Sequence, residues 1–213
     1  MSNYYDPRNS LLPDVLERRA GLPIMLAIVC MAIGRRLNLQ IEGLAFPSHF
    51  LALYRDAAGV WVLDPFYGVV IEPDGVEAYL TQRLERPVHL SAQAWRPASA
   101  QAIAMRILHN LRNAYLMRQD LEMAGKVLDY LVAADPADAL HWRERGLLHF
   151  RTERWEECQH DLRLYLTHCG HLDAIRVRPV AAAHGGQLEQ LSAENQQIVT
   201  IYREAGERLA RCN

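Results

Sequence analysis

Apolar residues recur every three to four positions at the start of the chain, alternate with polar ones through the next stretch, and return to helical spacing for the second half. Leu12, Val15 and Leu16 define a short first helix, with Asn9 or Ser10 as its cap, an end near Arg19 and Gly21 just beyond. Pro23 suits the first turn of a second helix, where no backbone donor is needed. Residues 26–37 are apolar on nearly every side except at Arg35 and Arg36, so this helix is the expected centre of the first core. From Ile41 the period changes: runs at 41–46, 49–54, 60–63 and 69–71 are separated by turn residues and predict an antiparallel sheet. Asp56-Ala57-Ala58-Gly59 makes one turn, and Pro65 and Gly68 end the third strand. A short helix over 76–84 follows. The stretch 86–97, with Pro87 and Pro97 and little periodicity, marks the expected domain boundary, giving domains 1–95 and 96–213.

The second half repeats. Shifting residues 116–136 by 34 positions superposes Leu121 on Trp155, Ala124 on Cys158, Leu128 on Leu162, Leu131 on Tyr165 and Pro136 on Gly170. A period of about 34 is the tetratricopeptide length. The small residue at Ala124/Cys158 lets paired helices approach closely, and Asp135-Pro136 closes one hairpin before the next begins. Hairpins are expected over 101–134 and 137–169, and Ile198, Ile201, Tyr202, Ala205 and Leu209 stripe a capping helix over 192–211. Tyr115, Trp142, Phe150, Trp155 and Tyr165 read as repeat core. The fold class expected is α+β, a central helix on a small antiparallel sheet, followed by an all-α array of helical hairpins.

Composition narrows the partners. Half of the 213 residues are hydrophobic, and the net charge of -2 offers no polyanion attraction, so nucleic acid is not expected as a partner. The apolar run 22–33 is about a dozen residues long, whereas a bilayer span needs roughly 20, and the first residues lack the pattern of a secretory signal. Neither a membrane nor export is expected, and the cytoplasm follows as the location. Cys30, Cys158, Cys169 and Cys212 are too few and too uneven for a disulfide framework. Cys158 and His160 point about 200° apart on a helix, so with Cys169 and His171 they make no expected metal site, and no cofactor is implied.

The candidate chemistry lies in the sheet. A hairpin whose turn centres on Asp56/Ala57 or on Ala57/Ala58 puts Asp64 opposite His49 or diagonal to it, on one face. A carboxylate beside an imidazole fixes its tautomer and supports its positive charge. The bland alternative is a polar pair that ties the hairpin to Asn9, Glu17 or Arg18. Glu17, Arg18 and Arg19 themselves read as a solvated helix end.

Four strings, Tyr5-Asp6-Pro7-Arg8-Asn9-Ser10, Leu16-Glu17-Arg18-Arg19-Ala20-Gly21-Leu22-Pro23, Phe46-Pro47-Ser48-His49-Phe50 and Leu63-Asp64-Pro65-Phe66, resemble the bacterial invasion-regulator B1 family. Its members join a transglutaminase-like core to tetratricopeptide repeats, and the resemblance covers nearly the whole chain. Similar proteins carry further helical sequence before the Asp-Pro-Arg-Asn motif, so a shortened form is expected. In catalytic transglutaminases the resemblance implies Gly-x-Cys-x-x-x-Ala at the start of the central helix, where the helix terminus lowers the thiol pKa. This chain reads Gly21-Leu22-Pro23-Ile24-Met25-Leu26-Ala27: His49 and Asp64 match the family's histidine and aspartate, and Pro23 stands at the nucleophile position. Cys30 lies seven residues on, roughly 10 Å up the helix and inside the apolar run, which reads as an inert thiol. Ser48 adjoins His49 but points to the other face of a strand.

These features predict a non-catalytic regulatory or adaptor protein that binds a peptide or protein through the degenerate pocket or the repeat groove. The competing expectation is an amide-bond hydrolase or transglutaminase-like enzyme using His49 and Asp64 with an unconventional nucleophile.

Overall fold

In the computed structural model, which describes residues 4–46, 49–173 and 191–212, the alternating stretch forms a four-stranded antiparallel sheet. Its strands lie in chain order: β1 (Ile41–Phe46), β2 (His49–Asp56), β3 (Gly59–Asp64) and β4 (Val69–Ile71). The β2–β3 turn is fixed by Asp56, whose Oδ1 accepts from the amides of Ala58 at 2.7 Å and Gly59 at 3.2 Å. Asp56 thereby pairs with Gly59 and Ala52 with Leu63, so Asp64 lies diagonal to His49, the second of the two registers expected.

Alternation divides the sheet into two faces with separate cores. On one, Leu44, Phe46, Leu51, Leu53 and Val62 pack with Val76 and Leu80 of α3 (Val76–Leu84), and with Val88 and Trp95. On the other, Phe50 and Ala52 pack with Ile24, Met25 and Ala27 of α2 (Pro23–Arg36) and Val15 of α1 (Leu12–Arg18). Each such fully buried large side chain contributes roughly 1.5–3 kcal/mol. The helix-side face needs a small residue at position 43, because a Cβ on Gly43 would come within 2.6 Å of the Phe50 ring.

The caps differ from expectation. Neither Asn9 nor Ser10 caps α1; its N-cap is Leu11, without a side-chain bond, because residues 7–10 form a 3-10 turn of their own. That turn is capped by Asp6, which accepts from the Arg8 amide at 3.0 Å. By contacts the chain divides into two compact units, residues 1–118 and 119–213. Compared with the 95/96 boundary read from the prolines, the first unit gains α4 (Ala100–Met117), whose Ile103 and Ile107 pack against the α2 face core.

Among the described residues the second unit has α5 (Leu121–Ala134), α6 (Ala139–Arg151), α7 (Trp155–His168) and α8 (Ala193–Cys212). Asp120 and Asp138 cap α5 and α6 through the amides of Met123 and Leu140. The repeat positions Ala124, Cys158, Leu128, Leu162, Leu131 and Tyr165 are all buried. Ile198, Val199 and Ala205 of α8 close the core of α7, with Trp142, Phe150 and Trp155 packed around it. Among the described residues no helix is long and apolar enough to cross a membrane.

Candidate functional site

His49 and Asp64 meet as the spacing allowed. His49 Nε2 lies 2.7 Å from Asp64 Oδ2, and both side chains are buried. Tyr79 of α3 donates its hydroxyl to the same oxygen at 2.8 Å, while Oδ1 accepts from the amides of Phe66 at 2.9 Å and Tyr67 at 3.2 Å. Burial alone raises the Asp64 pKa, but the hydrogen bonds from His49 and Tyr79 outweigh it and hold the carboxyl below its ordinary range. Tyr79 is pushed up to about 12, first by burial and then by its bond to that carboxylate. An ionised Asp64 accepts a hydrogen bond from Nε2–H, so that in the neutral tautomer this bond favours, Nδ1 is the acceptor nitrogen.

Tyr79 was missed from sequence. A signal existed, because Val76, Tyr79, Leu80 and Arg83 fall on one stripe of α3, and Val76 and Leu80 are fully buried. The rim adds Tyr67, stacked on the His49 ring at 6.4 Å between centres, and Phe66 edge-on to Tyr67 at 4.9 Å. Both rim rings are exposed, at 42% for Phe66 and 47% for Tyr67. At the end of β1, the half-buried Arg106 donates to the Phe46 carbonyl at 3.0 Å. Pro47 and Ser48 lie outside the described residues.

The residues offered as structural ties make a separate cluster. Asp6 accepts a bidentate bond from Arg8, and Arg18 reaches Asn9 Oδ1 at 3.2 Å, while the Asn9 carbonyl accepts the Leu22 amide at 2.9 Å. The Asp-Pro-Arg-Asn string thereby holds the segment just before α2. Glu17 and Arg19 are exposed.

Pro23 opens α2 and contributes no nucleophile. The dyad is held from the α3 face, whereas α2 packs on the opposite one. Cys30 lines an apolar groove of about 320 Å³ with Leu26, Val29, Ile33, Leu37 and Pro65, and burial raises its thiol pKa. A raised thiol pKa leaves little thiolate.

In the second unit, a groove of about 360 Å³ between α5 and α6 is lined by Leu121, Gly125, Lys126, Leu148, His149 and Arg154. Asp129 also lines it, and Arg145 binds Asp161 at 2.7 and 2.9 Å and Asp129 at 2.9 Å. Cys158 lies in the core, its thiol raised to about 12 by burial, and His160 stands edge-on to Trp142.

The comparisons with known proteins fit this geometry. A profile of the transglutaminase-like superfamily matches residues 1–109, and one of the tetratricopeptide repeat matches residues 111–184. The chain belongs to the transglutaminase-like superfamily, in the group that carries tetratricopeptide repeats, as the resemblance to the invasion-regulator B1 family implied. It is similar to a UPF0162 protein of Xylella fastidiosa, 34% identical over 172 residues that cover 76% of this chain and 59% of that one. A UPF0162 protein of Vibrio cholerae is 24% identical over 189 residues, covering 87% and 70%. Protein SirB1 of Salmonella typhimurium is 24% identical over 163 residues, covering 74% and 59%. The chain thus spans 59% of the length of the Xylella and Salmonella relatives. No solved structure matches it.

Proposed function

We propose that the protein is a non-catalytic regulatory or adaptor protein whose degenerate transglutaminase-like pocket, with or without the repeat groove, binds a peptide or protein partner. The observation that carries this reading is the pairing of an intact imidazole–carboxylate contact with proline where the superfamily's thiol stands. Covalent catalysis requires a nucleophile within hydrogen-bond reach of the base. Cys30 does not meet that requirement, being on the helix of the opposite sheet face. A histidine that keeps its orientation without a nucleophile still serves as a hydrogen-bonding anchor. Stacked helical hairpins add an extended groove of the kind that holds partner segments.

Thiol-directed and amide-mimicking probes test the reading on the intact chain. Labelling of Cys30 should be slow and unchanged by His49→Ala, and no amide turnover should follow. Rapid Cys30 labelling that disappears in His49→Ala would overturn it. The 2.7 Å contact also favours a second reading, an amide-bond enzyme that uses His49 and Asp64 to activate water. Amide hydrolysis by the purified chain, lost in both His49→Ala and Asp64→Asn, would establish that alternative.

A further inference from the structure

The rim of the dyad holds a cation, Arg83, which interacts with the aromatic rings and the hydroxyl of Tyr79. The Arg83 guanidinium carbon lies 3.8 Å from the centre of the Tyr67 ring and 5.2 Å from that of Tyr79. Among the described residues no carboxylate pairs with it. Asp64 is not available, since His49, Tyr79 and two turn amides occupy both of its oxygens. Glu77, one to two turns earlier on α3, is engaged by the Leu90 amide at 2.6 Å and lies 3.6 Å from His89. A guanidinium laid on aromatic rings gives up little further freedom when it pairs, because stacking has already restricted it.

Tyr67 is the common neighbour of this cation and the imidazole. Phe66 and Tyr67 extend the rim as an exposed aromatic wall beside them. A ligand crossing the rim therefore meets two exposed aromatic rings set edge to face and one positive charge stacked on Tyr67, whose ring also packs on the imidazole. Tyr67 and Phe66 carry no charge to compete for that guanidinium, so the complementary group is an anion with an apolar or planar neighbour. An acidic residue flanked by peptide planes has that composition.

Resting on the reading that this pocket holds a partner segment, we propose that it selects an acidic one: a side-chain carboxylate of the bound peptide pairs with Arg83 while the adjoining backbone packs against the exposed Phe66 ring and the edge of Tyr67. Selection of glutamate over glutamine follows, because a charge-assisted bond is about twice as strong as a neutral one.

The test uses the full chain and three short peptides: acetyl-Gly-Glu-Gly-amide, acetyl-Gly-Gln-Gly-amide, and acetyl-Gly-Gly-Gly with a free carboxyl end. Binding is followed through the ring resonances of His49 and Tyr67 by NMR. The glutamate peptide should shift both rings saturably and bind about ten-fold more tightly than the glutamine peptide. Arg83→Gln, a change at an exposed position of α3, should abolish that preference, and Arg83→Lys should keep part of it. Equal binding of the glutamate and glutamine peptides, or an unchanged preference in Arg83→Gln, overturns the charge selection while leaving the pocket as a peptide site. A response to the free carboxyl end alone overturns the side-chain assignment. Absence of any shift at His49 and Tyr67 with all three peptides overturns both this inference and the pocket reading beneath it.

Discussion

Each unit buries a histidine against an aspartate, and the two contacts have different chemistry. In the first, His49 Nε2 lies 2.7 Å from Asp64, and the other bonds to that carboxylate come from a tyrosine and two amides. In the second, His149 Nδ1 is 3.3 Å from Asp161, a looser contact, and among the described residues that nitrogen makes no well-aligned hydrogen bond. Arg145 occupies both Asp161 oxygens and extends to Asp129, so one guanidinium staples α5, α6 and α7. The residue types agree; the competitor for the carboxylate decides the outcome. Where no guanidinium intervenes the carboxylate fixes the imidazole through one short bond, and where one does the aspartate ties helices together.

The difference is sharpest in what each carboxylate stabilises. Asp161→Ala should give the largest effect, about 3 kcal/mol, because it leaves a guanidinium that is only 16% exposed with the solvent-exposed Asp129 as its remaining carboxylate, beside an imidazole that is 7% exposed. Urea unfolding followed by Trp142 and Trp155, with Trp61 and Trp95 replaced by Phe, reads that loss; a cost below about 1 kcal/mol would mean the staple is ornamental. Asp64→Asn should cost less, about 2 kcal/mol, because the new amide oxygen still accepts the turn amides while the charged bond to His49 is lost. The converse replacements, leaving Trp61 and Trp95 as reporters, measure it. Tyr79→Phe removes one of the two bonds to Asp64 Oδ2 and should cost about 1 kcal/mol. If Tyr79→Phe matched Asp64→Asn, the hydroxyl and not the imidazole would be the principal partner of the carboxylate.

The comparison also explains what was legible in sequence. His49 and Asp64 stand on two adjacent strands joined by a tight turn, where a period of two and a two-residue register choice bring them together by arithmetic alone. The 34-residue repeat exposed the buried positions Ala124, Cys158, Leu128 and Leu162 for the same reason: a fixed period is local information. Arg145, His149 and Asp161 meet across α6 and α7, and no periodicity of either helix says which polar side chains face across the packed surface. Tyr79 and Arg83 shared a stripe with Val76 and Leu80, yet only the decision that α3 covers the dyad's sheet face gives that stripe a meaning. The missed cap at Leu11 has a local cause. A 3-10 turn used the preceding four residues, so the helix started without a polar side chain at its end.

A third carboxylate extends the comparison to a pair whose cation is open to water. Asp6 is buried, but its partner Arg8 is 57% exposed, and Arg18 adds a contact at 3.9 Å. The hydrogen bond from Arg8 lowers the Asp6 pKa from 3.8 to about 2, against the opposing effect of burial. A carboxyl whose folded pKa is depressed stabilises the fold above its unfolded value, and the contribution disappears as pH falls through the folded one. The window therefore runs from 3.8 down to about 2. Unscreened, a shift of that size amounts to about 2.5 kcal/mol, but solvent around Arg8 reduces it to about 1 kcal/mol. Asp6→Asn should accordingly be less stable than the unmodified chain by about 1 kcal/mol at neutral pH, and the two stability curves should converge as the acid limb passes through the window. Curves that stay parallel to the bottom of the window would show that Asp6 acts through the cap geometry of the 3-10 turn alone, with no contribution from its charge.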